Sequence, residues 1–169
     1  MGRINIGKSN NKVKTVKADL RKSTGLQTVL LFCMLAIVTL SFPTHAEELV
    51  DATADYDSNN VFARILRGDL PADIVFESEY ALAFHDINPQ AKVHVLIIPK
   101  GQYTNITRFN ADASDEEKLG FLDAISQTAT IMKVDESGFK LVSNTGQHAG
   151  QTVPHFHFHL LGGEPVQSQ

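Results

Sequence analysis

Three histidines alternate with apolar residues near the C-terminal end of the chain, at His155, His157 and His159. A period of two is the β-strand period, so we predict that the three imidazoles share one face of a strand, with Phe156 and Phe158 on the other face. An uncharged imidazole can act as a nucleophile, exchange protons or bind a metal ion. The spacing therefore predicts a strand that carries out chemistry rather than one that only packs.

A glycine-containing loop precedes these histidines, and Gly146 and Gly150 lie within it. Because glycine has no Cβ atom, backbone N–H groups in such a loop can approach an anion closely. Amides that hold a phosphate, followed by imidazoles that can attack it, form a coherent site. The sequence therefore brings together the groups needed for phosphoryl chemistry.

A metal site is the alternative interpretation of the same histidines. Adjacent same-face positions on a strand are about 6.7 Å apart, which places His155 and His159 roughly 13 Å apart. Two imidazoles could share one ion, as in a metal-binding protein that uses His155 and His157, but three could do so only with difficulty. This geometry favours successive catalytic roles, and we expect no bound metal.

The run from His155 to Leu161 resembles the His-x-His-x-His-x-x signature of the histidine triad (HIT) superfamily, in which x is apolar. Asn144 and the segments 150–153 and 161–163 are similar to its Hint-like branch of nucleotide-binding hydrolases. The resemblance covers about residues 60–163. It implies an α+β HIT fold, with an antiparallel five-stranded sheet, one long helix and one short helix.

The resemblance also implies a covalent mechanism without a cofactor. His157 would attack the α-phosphorus of a nucleotide, and water would then hydrolyse the nucleotidyl-histidine. His159 would hydrogen-bond the phosphoryl oxygens, and His155 would help to fix the tautomer of His157 through its backbone carbonyl. Thr152 would assist the leaving group.

Further residues are assigned to substrate binding by the same resemblance. Asp86 would hold the ribose hydroxyls, although the residues alone leave open a turn role in which it bonds its own backbone. His94 would support His155. The expected walls of the base pocket are Phe62, Phe84 and Ile87, and the groups expected to hold phosphate oxygens are Asn144, Gly150 and Gln151.

The implied activity is hydrolysis of purine nucleoside 5′-phosphoramidates or acyl-nucleotides. A dinucleoside polyphosphate hydrolase is one alternative, because that branch shares the Gly-Gln-Thr-Val run of residues 150–153. A nucleotide-binding regulatory module with little turnover is another. Hint-type proteins are homodimers that pair the long helix and the fourth strand, so a homodimer is implied. Some relatives hold a structural zinc with a Cys-x-x-Cys pair, but Asn60 and Ala63 occupy those positions here, and that zinc is not expected.

The first 46 residues differ in charge from the rest of the chain. They carry seven basic residues and one acidic residue, which leaves eight basic and eighteen acidic residues in 47–169. So acidic a body argues against non-specific nucleic-acid binding, which depends on Lys and Arg contacts to phosphates. A small nucleotide held by backbone amides is compatible with it.

An almost wholly apolar core from Val29 to Leu40 follows the basic residues, and Thr44-His45-Ala46 places small residues at the −3 and −1 positions. This pattern predicts a secretory signal peptide cleaved after Ala46, and hence an exported protein, periplasmic or secreted. The alternative is an uncleaved anchor over residues 28–42, which would be the protein's contact with the membrane. A mitochondrial presequence is disfavoured because such segments are amphipathic.

The remaining chain divides into three parts. Residues 47–59 are acidic and show no periodicity, which predicts a flexible linker. Residues 60–163 form the predicted domain, and residues 164–169 a C-terminal tail. We predict a short helix at 61–67 and strands at 74–77, 80–85, 93–99, 139–144 and 153–161.

One long helix is predicted to begin at Ser114, because Ser-Asp-Glu-Glu fits a capping box. Apolar residues follow at three- and four-residue steps, and we predict that this stripe faces the core. Its members are Leu119, Leu122, Ile125, Ala129 and Met132.

N-terminal sequencing of the mature protein tests the prediction of export. A new terminus at Glu47 supports the signal peptide, because cleavage follows the small residue at −1. An intact Met1 on membrane-bound protein supports the anchor, with the basic residues held on the cytoplasmic side. Intact protein that is soluble in the cytosol would contradict both interpretations.

Overall fold

The computed structural model describes residues 49–166. The predicted leader, residues 1–46, lies outside this range. Among the helices within it, none combines the length and the apolar character needed to cross a membrane.

An antiparallel sheet forms the centre of the described region, and its strand order is β1-β2-β3-β5-β4. The last strand in the sequence therefore lies inside the sheet, between β3 and β4. Five strands belong to this sheet within residues 49–166, which together with the helices confirms the predicted α+β class. The strands are β1 Ile74–Glu77, β2 Ala81–His85, β3 Val93–Pro99, β4 Phe139–Val142 and β5 Phe158–Gly162.

Three α-helices occur in the same part of the chain: α1 Val61–Leu66, α2 Ile106–Asp112 and α3 Asp115–Ile131. The capping box that begins α3 is confirmed, since the Ser114 side chain accepts from the backbone of Glu117 and the Glu117 carboxylate accepts from the backbone of Ser114. Helix α2 was not predicted. Its start is fixed by Asn105, whose side chain accepts two backbone N–H groups of the first turn.

The long helix buries a different stripe from the predicted one. Phe121, Ala124, Ile125, Thr128 and Ala129 face the core, whereas Leu119 and Leu122 are 69% and 61% exposed. The placement of Leu119 and Leu122 in the core was therefore wrong. Phe121 takes the central position because its ring packs against the ring of Phe156, 5.2 Å away between centroids.

Strand β5 begins at Phe158, five residues later than predicted. Pro154 has no N–H group to donate to a sheet ladder, and the N–H groups of the next two residues bond carbonyls outside the sheet. His155 N–H donates to the Val153 carbonyl at 2.8 Å, and Phe156 N–H donates to the Tyr103 carbonyl. The prediction of one continuous strand through all three histidines was therefore wrong, and only His159 of the three lies in β5.

Residues 49–59, which we call the arm, pack against the domain. Val50 N–H donates to the Gln151 carbonyl at 2.9 Å, and the Asn105 side-chain amide donates to the Ala52 carbonyl at 2.8 Å. Val50 is buried. The prediction of a flexible linker is therefore corrected for this segment, because its backbone is tied to the loop before the histidines.

Candidate active site

A cleft of about 1360 Å³ opens beside β3 and β5, and ten of the predicted site residues line it. Helix α1, the turn between β2 and β3, the glycine-containing loop and the end of the chain contribute to its walls. His155 and His94 lie behind the wall, both buried. The ten are Phe62, Phe84, Asp86, Ile87, Asn144, Gly150, Gln151, Thr152, His157 and His159.

The His157 ring is held in one tautomer by the backbone. Its Nδ1 lies 2.7 Å from the His155 carbonyl oxygen. Because a carbonyl oxygen can only accept, Nδ1 carries the proton and the lone pair is on Nε2. Burial lowers the pKa of His157 below its ordinary value, so the ring is uncharged at neutral pH. The result is an imidazole whose Nε2 lone pair is ready for attack.

His155 is fully buried, and both of its ring nitrogens have partners. Its Nε2 lies 3.0 Å from the Pro99 carbonyl oxygen, and its Nδ1 lies 2.6 Å from the Tyr56 hydroxyl. Nε2 must donate to the carbonyl, so Nδ1 accepts from the hydroxyl. Burial lowers the pKa of His155 to about 4.

Tyr56 was missed by the sequence analysis. It lies in the arm, 99 residues before His155, and no spacing pattern connects the two residues. The one available signal was a single aromatic residue within a segment rich in acidic and polar residues.

His94 contacts His159 rather than His155, so its predicted partner is corrected. Gln90 N–H donates to Nδ1 of His94 at 3.1 Å, which leaves the ring proton on Nε2. That Nε2 lies 2.9 Å from Nδ1 of His159 and 3.3 Å from Oδ2 of Asp86. His159 therefore accepts through Nδ1 and carries its own proton on Nε2.

The pKa of His159 is lowered to about 4, mainly by burial and further by the neighbouring His157 and His94. Burial also lowers the pKa of His94. Because uncharged His159 is fixed with its proton on Nε2, it can donate a hydrogen bond while His157 offers a lone pair. His157 and His159 thus have opposite roles, acceptor and donor, and the hydrogen-bond partner of Nδ1 in each ring decides which role that ring takes.

Asp86, His94 and His159 are close enough for their ligand atoms to surround one ion, since these atoms lie within 4.8 Å of one another. The hydrogen bonds argue against that use. Nε2 of His94 bears a proton, because Nδ1 of the same ring accepts from Gln90, and a protonated nitrogen has no lone pair for a metal. The alternative of an ion shared by His155 and His157 is weakened in the same way, since both nitrogens of His155 have hydrogen-bond partners.

Gln151 organises the loop and is not free to hold a phosphate, contrary to its predicted role. Its Oε1 accepts from Gly146 N–H at 2.8 Å, and its Nε2 donates to the carbonyls of Thr104 and Val153. These bonds use both amide protons, and the side chain is buried. Gly146 is required where it stands, because it has a φ of 73° and a Cβ there would lie 2.8 Å from Cβ of Ala52.

Two aromatic rings form the apolar wall of the cleft. Phe62 and Phe84 are buried and meet edge to face at 5.6 Å between centroids, and Phe62 also contacts the ring of His157 at 5.1 Å. Ile87 is 91% exposed, so it lies at the rim of the cleft. Asp86 does take the turn role, since its Oδ1 accepts from Asn88 N–H at 2.8 Å, and it also lines the cleft.

Lys140 lines the cleft as well, although the sequence analysis gave it no role. The signal was the alternation of β4, in which Lys140 lies between Phe139 and Leu141. Period-two spacing directs it to the face opposite those apolar residues.

Comparison with known families agrees with this geometry. A family model described as the HIT domain matches residues 67–166, more than half of the chain. The chain belongs to the HIT family.

The matches between this HIT protein and its relatives cover most of the length of each relative. A HIT-like protein of Azospirillum brasilense is 50% identical over 108 residues, which are 64% of this chain and 88% of that protein. The purine nucleoside phosphoramidase of Escherichia coli is 38% identical over 107 residues, which are 63% of this chain and 88% of that enzyme.

Solved structures confirm the HIT fold. A HIT family hydrolase from Clostridium thermocellum is 39% identical and has a TM-score of 0.62, with 67% of this chain and 97% of that chain covered. A HIT family hydrolase from Legionella pneumophila is 40% identical with a TM-score of 0.60, covering 64% of this chain and 96% of the other.

The lowered pKa values predict how the stability of the protein depends on pH. Between about pH 4 and 6.5 the unfolded chain binds protons on His155 and His159, whereas the folded protein does not. The free energy of unfolding should therefore decrease as the pH falls through this range. Denaturant titrations at several pH values measure this slope.

His159→Asn should make that slope smaller, because it removes one group with a lowered pKa. His148→Asn is the matched control: His148 is exposed in the loop, and its replacement should leave the slope unchanged. An unaltered slope in His159→Asn would contradict the assignment.

Proposed function

We propose that this protein hydrolyses purine nucleoside 5′-phosphoramidates or acyl-nucleotides through a nucleotidyl-His157 intermediate, without a metal. The observation that carries the proposal is the 2.7 Å contact between Nδ1 of His157 and the His155 carbonyl oxygen. It leaves the Nε2 lone pair free on a ring that lines the cleft. The name of the E. coli relative, purine nucleoside phosphoramidase, supports the same substrate class.

In the first step, Nε2 of His157 forms a bond to the α-phosphorus. The bond from phosphorus to the leaving group breaks and its electron pair goes to the leaving group, which departs as a carboxylate or, after taking up a proton from solvent, as an amine. The attacking His157 ring becomes positively charged. Its Nδ1–H bond to the His155 carbonyl then becomes charge-assisted and stronger, so this contact favours the transition state over the ground state.

In the second step, water attacks the phosphorus and gives up one proton to solvent, and the bond from phosphorus to Nε2 breaks with its electron pair returning to Nε2. The nucleoside monophosphate is released, and His157 returns to its uncharged form with the proton on Nδ1. Thr152 is exposed and lines the cleft, so its hydroxyl is the proposed relay for the proton that the leaving group takes up.

The phosphoryl oxygens are held by donors already pointed at the cleft. His159 presents Nε2–H, because His94 occupies its Nδ1 at 2.9 Å. Asn144 also lines the cleft and could add an amide donor, whereas Gly150 N–H already donates to the Gln147 carbonyl at 3.1 Å. Fixed donors of this kind stabilise developing negative charge without reorganisation.

The nucleoside would occupy the end of the cleft formed by Phe62, Phe84 and Asp86. Aromatic walls accept either purine, since they recognise the shape of a base rather than its edge. The Asp86 carboxylate retains lone pairs for the two ribose hydroxyls, because the contacts to Asn88 and His94 use one on each oxygen.

We also propose a homodimer. Strand β4 is an edge of the sheet, and Phe139 and Leu141 on it are 37% and 36% exposed. Leu119 and Leu122 of α3 are more exposed still. An uncovered edge strand with apolar side chains invites pairing with a second chain, and two-fold pairing closes it.

Export is proposed on composition. The basic residues, the apolar core and the small residues before position 47 support a signal peptide. This segment lies outside the described residues.

Loss of the nucleophile tests the chemistry. His157→Ala should reduce kcat by several powers of ten while AMP still binds, because the donors and the aromatic walls remain. The assay measures turnover of an adenosine phosphoramidate and titrates AMP. His148→Ala is the control, with kcat expected near that of the wild type. Undiminished turnover in His157→Ala would overturn the mechanism.

The same assay separates the alternatives. Preferential cleavage of a diadenosine polyphosphate would identify a dinucleoside polyphosphate hydrolase. Tight AMP binding without turnover of any substrate in the panel would identify a regulatory module.

Charge placed on the exposed apolar surface tests the dimer. Leu141→Lys should shift the protein from dimer to monomer at micromolar concentration, because a lysine ammonium buried in an interface loses its hydration. Ile74→Lys is the matched control: Ile74 is 54% exposed on β1, at the opposite edge of the sheet, and its replacement should leave the dimer intact. Sedimentation velocity measures both, and a monomeric wild type would contradict the dimer.

A further inference from the structure

The arm places a tyrosine in the catalytic machinery from outside the family match, which begins at residue 67. The hydroxyl of Tyr56 lies 2.6 Å from Nδ1 of His155, and the two rings meet edge to face at 5.6 Å between centroids. This short, part-buried contact joins the arm to the residue whose carbonyl accepts from Nδ1 of His157.

The direction of this hydrogen bond is fixed by the other side of the His155 ring. Nε2 faces the Pro99 carbonyl at 3.0 Å, which can only accept, so Nε2 has the proton and Nδ1 has the lone pair. The Tyr56 hydroxyl is therefore the donor. Without it, Nδ1 would be a buried acceptor with no partner, an arrangement that proteins avoid.

The proposed reaction depends on the backbone carbonyl of His155. Its carbonyl receives the Nδ1 proton of His157 at 2.7 Å and thereby leaves the Nε2 lone pair free. Residues 153–157 lie outside the sheet, and the peptide that joins this carbonyl to Phe156 is held by one backbone hydrogen bond, from Phe156 N–H to the Tyr103 carbonyl. The two ring contacts of His155, one to Pro99 and one to Tyr56, hold the same residue through its side chain.

Further hydrogen bonds hold the arm against the domain. Ala52 and Ala54 offer carbonyls to the side chains of Asn105 and Thr104, at 2.8 and 3.4 Å, and both of those side chains are buried. Val50 N–H donates to the Gln151 carbonyl in the glycine-containing loop. The arm thus contacts both the glycine-containing loop and His155.

We propose that Tyr56 is a positioning residue for the reaction: by donating to Nδ1 of His155, it fixes the carbonyl that selects the reactive tautomer of His157. This inference rests on the proposed function for its kinetic consequence. Its structural content, the tautomers of His155 and His157, stands independently of any substrate.

Tyr56→Phe removes the hydroxyl and keeps the ring. We expect kcat to fall by roughly tenfold to a hundredfold, the scale set by one lost hydrogen bond to a buried group and a mixture of His157 tautomers. The Kd of AMP should stay within about twofold, because Tyr56 does not line the cleft. Tyr103→Phe is the matched control, since it removes a tyrosine hydroxyl bonded at 2.9 Å to Glu117 and not to a histidine.

Histidine ¹⁵N spectra of the full chain provide the readout that a general loss of stability would not change. In the wild type, His155 should carry its proton on Nε2 with Nδ1 as a hydrogen-bonded acceptor, and His157 should carry its proton on Nδ1. In Tyr56→Phe, His157 should become a mixture of both tautomers, whereas Tyr103→Phe should match the wild type.

The outcomes separate this inference from the proposed function. Full kcat and unchanged ¹⁵N shifts in Tyr56→Phe would overturn the role of Tyr56 and leave the hydrolase intact. If the wild type turns over no substrate in the panel, the proposed function fails, and the spectra still decide the tautomers. If Tyr56→Phe does not fold, the wild-type spectrum decides alone: a proton on Nδ1 of His155 overturns the inference.

Discussion

A neutral imidazole has one N–H donor and one acceptor nitrogen. When the ring is buried, both need hydrogen-bond partners, and these partners decide which nitrogen carries the proton. This constraint organises the cluster of histidines beside the cleft. Burial lowers the pKa of His94, His155, His157 and His159, so all four rings are held uncharged. Once a ring is uncharged, the partner of one nitrogen decides what the other nitrogen can do. The carbonyl that accepts from Nδ1 of His157 leaves a lone pair on Nε2 of that ring. The N–H group of His94 that donates to Nδ1 of His159 leaves the proton of that ring on Nε2.

The core supplies the rigidity that these hydrogen bonds need. Phe156 and Phe158 alternate with the histidines and pack against Phe121, which lies at the centre of the buried face of α3. The aromatic cluster continues through Phe109 of α2, 4.9 Å from Phe156. Because interiors are closely packed, a shift of this backbone would require several aromatic rings to move together. Packing on one side of the segment thus fixes the directions of the imidazoles on the other side.

Local patterns in the sequence were sufficient for much of this structure. The capping box at Ser114, the five strands and the grouping of the cleft residues follow from spacing and from the resemblance of the His-x-His-x-His run. What could not be predicted depends on partners distant in the sequence. Gln151 has the residue type of a phosphate ligand, but its amide is used by Thr104, Val153 and Gly146. The exposed Leu122 has the same apolar character as the buried Ile125, and only the tertiary packing of Phe121 distinguishes their faces. His94 illustrates the same limit, since neither its type nor its position reveals which histidine it contacts.

The order of the strands makes the sheet depend on β5, the last strand of the described region. Strand β4 reaches the sheet only through β5, which pairs with both β3 and β4 although it is the last strand in the sequence. The segment that completes the sheet is also the one that carries His157 and His159, while the arm contributes from near the start of the described region. Contacts between such distant parts of a chain form late in folding, because closing long loops must precede them. A chain synthesised only as far as β4 therefore lacks both the strand that joins β4 to the sheet and the histidines that line the cleft.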